Sequence, residues 1–166
     1  MALAVILAFI ALTGAALAQA HNALVIGNGA YVSVPALKTA VTDAAIVAET
    51  LQAAGYDVTE LHDLTRATIG QALRDFIDKV AASGTDGVAF VYYSGYGAQW
   101  NGENFLIPVD APIKIDADMG NEAFRLRELL DELAATPQAA RIVIVDAARD
   151  LPSGGAGSRL AKAWHR

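Results

Sequence analysis

The chain has 166 residues, 54% of them apolar and only 18% charged, which suits one ordered domain with a real core and excludes an intrinsically disordered chain. A net charge of −6 argues against nucleic acid, whose phosphates call for a basic face, and suits partners that carry positive charge. Cysteine is absent, so there is neither a disulfide framework nor any thiolate chemistry.

Met1 to Ala20 holds no charged side chain and ends Ala18-Gln19-Ala20, the small-x-small pattern of a signal-peptidase site before His21. The expected reading is export, to the periplasm or outside the cell, with the mature chain free of the membrane. The alternative is a membrane anchor, for which the segment is short and lacks a basic flank.

Ala23-Leu-Val-Ile-Gly27 is a continuous apolar run that suits a strand buried on both faces. Gly27-Asn-Gly29 follows and reads as a tight turn that needs positive φ at glycine. A dinucleotide fingerprint would need glycine where Val32 stands, and no Walker-type Gly-Lys-Ser/Thr is present. No cofactor is expected. Thr39 to Ala54 has helical spacing (Val41, Ala44, Ala45, Ala48, Leu51) with Gly55 as its C-terminal cap. Tyr56 to Leu61 alternates as a second strand. Thr65 to Ser83 is a second helix with Ile69, Leu73, Phe76, Ile77 and Val80 on one face. Gly87 to Tyr93 is a third strand, rich in β-branched and aromatic residues.

Ser94 to Asn104 reads as a loop before Phe105-Leu-Ile107, with a small hairpin there as an option. Asn121 to Ala135 reads as one helix, and Arg141 to Val145 as a fourth buried strand. Strands alternating with helices predict an α/β domain with a mainly parallel sheet, whose sites gather at the carboxyl ends of the strands. After Pro152, Ser153-Gly-Gly-Ala-Gly157 looks like a linker to a short basic tail.

Two strand-to-turn segments carry the chemistry: Tyr92-Tyr-Ser-Gly-Tyr-Gly-Ala-Gln99 and Ile142-Val-Ile-Val-Asp-Ala-Ala-Arg-Asp150. They resemble the signature segments of the bacterial caspase-like peptidases, the metacaspase and orthocaspase group, which carry Tyr-Tyr-Ser-Gly-His-Gly-x-Gln and Asp-Ala-Cys-Arg-Asp. Ala23 to Tyr31, Val41-Thr-Asp-Ala44 and Asn104 to Ala111 also resemble family segments, in the same order. The resemblance covers about Ala23 to Pro152.

It implies a three-layer caspase-like (caspase-hemoglobinase) α/β fold over 21–152, with 1–20 a signal peptide and 153–166 linker and tail. Relatives continue with further strands that finish the sheet, so the C-terminal part of the domain is expected to be missing, leaving a sheet edge for a partner to complete.

In the family a His acts as base for a Cys nucleophile. The matching positions here are Tyr96 and Ala148, 52 residues apart (148 minus 96), against about 50 between the catalytic His and Cys of caspases. Alanine has no nucleophile, and a phenol keeps its proton at neutral pH. Cleavage is therefore expected to be lost, making the chain a pseudo-peptidase that serves as a binding or regulatory module. The alternatives are an endopeptidase using another nucleophile (Ser94 or one supplied by a partner) or a structural domain of a larger assembly.

The family's acidic first pocket, which takes Arg or Lys, maps onto Asp43 and Asp146, implying a basic peptide or protein segment as ligand. Both also have ordinary structural readings, Asp43 charging the first turn of its helix and Asp146 satisfying turn amides. His21, His62 and His165 read as structural or surface residues. Asp110, Asp116 and Asp118 read as a solvated acidic loop, with no metal site expected.

Overall fold

The computed structural model describes residues 21–112 and 118–148. The expected signal segment, Asp116, and the linker and tail from Ser153 lie outside the described residues.

Four strands make a parallel sheet in the order β2 (Asp57–His62), β1 (Asn22–Gly27), β3 (Val88–Trp100), β6 (Ala140–Ala148). All six residues of β1 are buried, as a strand covered on both faces requires. Helix α1 (Ala40–Ala53) packs over β2, β1 and β3 on one face. Helices α2 (Arg66–Ala82) and α4 (Leu126–Ala135) cover the other, where Ile69, Leu73, Phe76, Val80, Leu129 and Leu133 close on Leu24, Ile26, Val91 and Tyr93. The domain is thus the expected three-layer α/β sandwich with a mainly parallel central sheet.

Local chemistry accounts for the helix limits. Gly55, at φ +87°, closes α1 with a Schellman motif, in which Gly55 N–H reaches Gln52 O and Tyr56 N–H reaches Leu51 O. Thr65 and Thr68 form a reciprocal capping box at the start of α2, and Asp110 accepts the Arg66 N–H at 2.8 Å.

Four expectations need correcting. β3 does not stop at Tyr93. It continues to Trp100 and turns through Asn101-Gly102, both at positive φ, into antiparallel β4 (Glu103–Leu106). That two-residue turn is the type I′ hairpin which Asn-Gly favours, and its twist lets the strand carry on through Ser94 to Gln99. The expected third helix is broken. A short α3 (Met119–Glu122) gives way to β5 (Phe124–Arg125), which pairs with Phe105 and Leu106 before α4 begins. Docking Phe124 against the core while satisfying that ladder forces Ala123 into an extended conformation.

The Gly27-Asn-Gly29 segment is not a positive-φ turn. A Cβ on Gly27 would lie 2.8 Å from both Ala40 O and Ala44 Cβ, so glycine is needed there for the close approach of α1. Finally, β6 is not buried on both faces: Ile142 and Ile144 are 39% and 44% exposed. The sheet face that α1 covers over β1 and β3 is left open over these two residues.

Candidate functional site

β1 and β3 are parallel neighbours while the chain moves outward from β1 to β2 on the other side. The crevice where such connections diverge, at the carboxyl ends of the strands, is the usual ligand site of an open α/β sheet. Here it is organised by Asn28, fully buried, immediately after β1. Its N–H donates to Ser94 O (2.8 Å), its Oδ1 accepts Leu64 N–H (2.9 Å), and its Nδ2 donates to Ile107 O (3.3 Å). Three segments that leave different strands are thereby tied to one residue, two of them through its side chain. Asp63, at φ +52°, adds a second tie by accepting both Gly29 and Ala30 N–H at 2.8 Å.

Next to Asn28 stands a cluster of tyrosines. Tyr96 N–H donates to Tyr31 Oη (2.8 Å), which sits 3.0 Å from Ile107 O. Tyr93 Oη lies 2.9 Å from Tyr96 O and 3.3 Å from Tyr31 Oη. Burial raises the Tyr31 phenol and pushes that of Tyr93 well above the ordinary tyrosine value. Neither serves as an acid or base near neutral pH. The cluster leaves no room for a side chain at position 95, where a Cβ would meet Tyr93 Oη at 2.6 Å and Tyr31 Oη at 2.7 Å.

Tyr96 and Ala148 stand opposite each other in the β3–β6 ladder, so the two positions read as a pair in sequence are neighbours in space. The Tyr96 ring is 5% exposed, meets Tyr31 edge-on at 4.8 Å, and donates its hydroxyl hydrogen to Pro35 O at 3.2 Å. It is a packed side chain that holds the loop after β1, with its one hydrogen engaged.

Asp43 and Asp146 also come together. Asp43 belongs to the first turn of α1, and Asp146 pairs with Ser94 in the ladder. Both line an open cleft of about 190 Å³ together with Thr39, Ser94, Gly95 and Ala147. Asp146 Oδ2 accepts a hydrogen bond from the Tyr92 hydroxyl at 3.3 Å. Burial raises the Tyr92 phenol, and the negative charge of Asp146 pushes the same way. Among the described residues no histidine lines the cleft. His62 sits at the end of β2, half-exposed and 2.7 Å from Glu60, and His21 packs against Tyr56. Ser94, buried at the cleft floor, therefore has no imidazole beside it among the described residues.

Asp110 is taken up by the cap of α2, and no group of three potential ligands for a metal ion occurs among the described residues. Asn28, Asp63 and Tyr31 are the structural residues of the site that sequence reasoning missed. The usable signal was a polar residue directly after a fully apolar strand.

Comparison with known proteins fits this architecture. The family described as Caspase domain matches residues 20–163. The chain belongs to the caspase-domain family. It is 35% identical over 100 residues to the mucosa-associated lymphoid tissue lymphoma translocation protein 1 homolog of Mus musculus, a match covering 60% of this chain and 12% of that protein. The Homo sapiens protein of that name is 34% identical over 96 residues, covering 58% of this chain and 11% of the relative. The matched region is thus a small part of those relatives. A crystal structure of a protein from Geobacter sulfurreducens shares the fold, with a TM-score of 0.60 at 20% identity over 78% of this chain and 50% of that one.

Proposed function

We propose that this caspase-family domain is an exported pseudo-peptidase that recognises a basic side chain, arginine or lysine, without cleaving the peptide that carries it. The observation behind the reading is the convergence of Asp43 and Asp146 on one open cleft beside the position where the family's catalytic pair would stand. A guanidinium between two carboxylates gains charge-assisted hydrogen bonds that a neutral side chain cannot make. Tyr96, buried and donating to Pro35 O, and Ala148 supply neither base nor nucleophile in this account.

The test is isothermal titration of an arginine-containing peptide into the protein and into Asp146→Ala. Asp146 is exposed to solvent, so the loss of one charge-assisted bond there, about 1.5 kcal/mol, corresponds to about tenfold in affinity. Equal affinity for the two proteins, or no binding by either, overturns the proposal.

A further inference from the structure

The chain contains two Asn-Gly pairs, Asn28-Gly29 and Asn101-Gly102. Asparagine before glycine is especially open to deamidation, because glycine has no side chain to shield its main-chain nitrogen from the amide that precedes it. The two pairs are chemically alike, yet the fold treats them in opposite ways.

Asn28 is fully buried, and Gly29 is buried beside it. Reaction there requires the Asn28 amide to swing onto the Gly29 nitrogen. Its Oδ1 is held by Leu64 N–H and its Nδ2 by Ile107 O, while Gly29 N–H is engaged by Asp63 Oδ1 at 2.8 Å. These bonds must open first, and the surrounding core with them.

Asn101 and Gly102 form the tip of the β3–β4 hairpin, both exposed, at φ +50° and +80°. Trp100 and Glu103 are the last residues to pair across the turn, so the two tip residues stand outside the ladder. Beyond its chain neighbours, no atom lies within 4 Å of the place a Gly102 Cβ would take. The Asn101 amide and the Gly102 nitrogen can therefore meet without disturbing the core.

We propose that Asn101 is a site of spontaneous covalent modification in the folded protein, and that Asn28 is protected from the same reaction. The Gly102 nitrogen attacks Asn101 Cγ. A C–N bond forms there and the bond from Cγ to the side-chain nitrogen breaks. That nitrogen leaves as ammonia, taking up the proton that the Gly102 N–H gives up. Water then opens the cyclic imide, its hydroxyl going to a carbonyl carbon and its hydrogen to the Gly102 nitrogen. Opening at Cγ gives aspartate. Opening at the Asn101 main-chain carbonyl carbon gives isoaspartate, in which the chain runs on through Cγ.

Either product adds a negative charge beside Glu103, and isoaspartate also lengthens the turn by one backbone atom. Turn type and loop length set the register of a hairpin. The isoaspartate form therefore loosens the pairing of Gly97–Trp100 with Glu103–Leu106. This proposal stands independently of the peptide-binding reading.

The test is incubation of the full chain at mildly alkaline pH, one sample folded by circular dichroism and one unfolded in guanidinium. Peptide mapping with fragmentation that separates aspartate from isoaspartate then follows both asparagines. In the folded chain Asn101 is expected to convert at least about tenfold faster than Asn28, the factor that one good hydrogen bond of protection supplies. In guanidinium the two rates should converge. Hydrogen exchange of the isoaspartate fraction should be faster over residues 97–106 than in the unmodified chain. Equal rates at Asn101 and Asn28 in the folded chain overturn the proposal. So does an Asn101 that stays intact when folded and converts only in guanidinium, or an isoaspartate form whose hairpin exchanges at the unmodified rate.

Discussion

The Tyr92 hydroxyl donates to Asp146 Oδ2 across 3.3 Å, joining the third strand to the carboxylate that forms one wall of the cleft. The bond orients the carboxylate. Tyr92→Phe should therefore keep the fold and weaken binding of an arginine peptide by about threefold, less than the loss of a direct contact, because the bond only orients the carboxylate and is not itself made to the peptide. Titration of the variant beside the unaltered protein checks this.

Alkaline pH should unfold the domain through its tyrosines. Tyr31, Tyr92 and Tyr93 all have phenols raised by burial. A group whose folded pKa is raised contributes stability that is fully present below its unfolded value, about 10 for tyrosine, and lost as pH rises through the folded value. Absorbance at the phenolate band and circular dichroism, followed together, should show these three of the five tyrosines ionising only as the fold is lost.

Gly27 and Gly84 both punctuate the chain, for opposite reasons. Gly84 has φ +86° with nothing within 4 Å of a Cβ, so Gly84→Ala should cost about 1 kcal/mol of backbone strain. A Cβ at Gly27 would strike Ala40 O and Ala44 Cβ, both at 2.8 Å, and neither the α1 backbone nor a short alanine can swing aside. Gly27→Ala should cost about 3 kcal/mol. Urea unfolding with unchanged m values measures both.

The parts of this fold legible in sequence were those set by one-dimensional patterns. Ala23 to Gly27 of β1 is an unbroken apolar run, α2 has a single apolar face, and Gly55 and Gly84 end their helices as glycine's left-handed conformation allows. The parts that were hidden depend on pairing partners far along the chain. Ser94 to Gln99 is strand because β6 and β4 pair with it, and glycines at 95 and 97 carry no side-chain pattern to betray that. The break at Ala123 exists because Phe124 and Arg125 find β4, although residues 121–135 have good helical spacing taken alone.

The site was legible in the same uneven way. Asp43 and Asp146 were picked out by family resemblance, and the structure places them in one cleft. The hydrogen bonds of Asn28 to partners 36 and 79 residues away were not readable, because nothing local in Gly27-Asn-Gly29 specifies them.

Restoring the missing pair asks whether the frame is still competent. Tyr96→His with Ala148→Cys replaces two positions already opposite each other in the ladder. Removing the Tyr96 phenol also removes its bond to Pro35 O and its contact with Tyr31, at a cost of about 1–3 kcal/mol. The double variant should remain folded by circular dichroism and cleave arginine- or lysine-containing peptides above the unaltered protein's background. Continued silence in a folded variant contradicts the expectation.

Recognition without cleavage is tested most directly by comparing an arginine peptide with its citrulline counterpart, which keeps the shape and loses the charge. Titration of both, with the recovered peptides weighed by mass spectrometry, should show the arginine form binding about tenfold tighter, as one charge-assisted contact implies, and both recovered intact. Equal affinity for the two peptides, or a cleaved arginine peptide, contradicts the account.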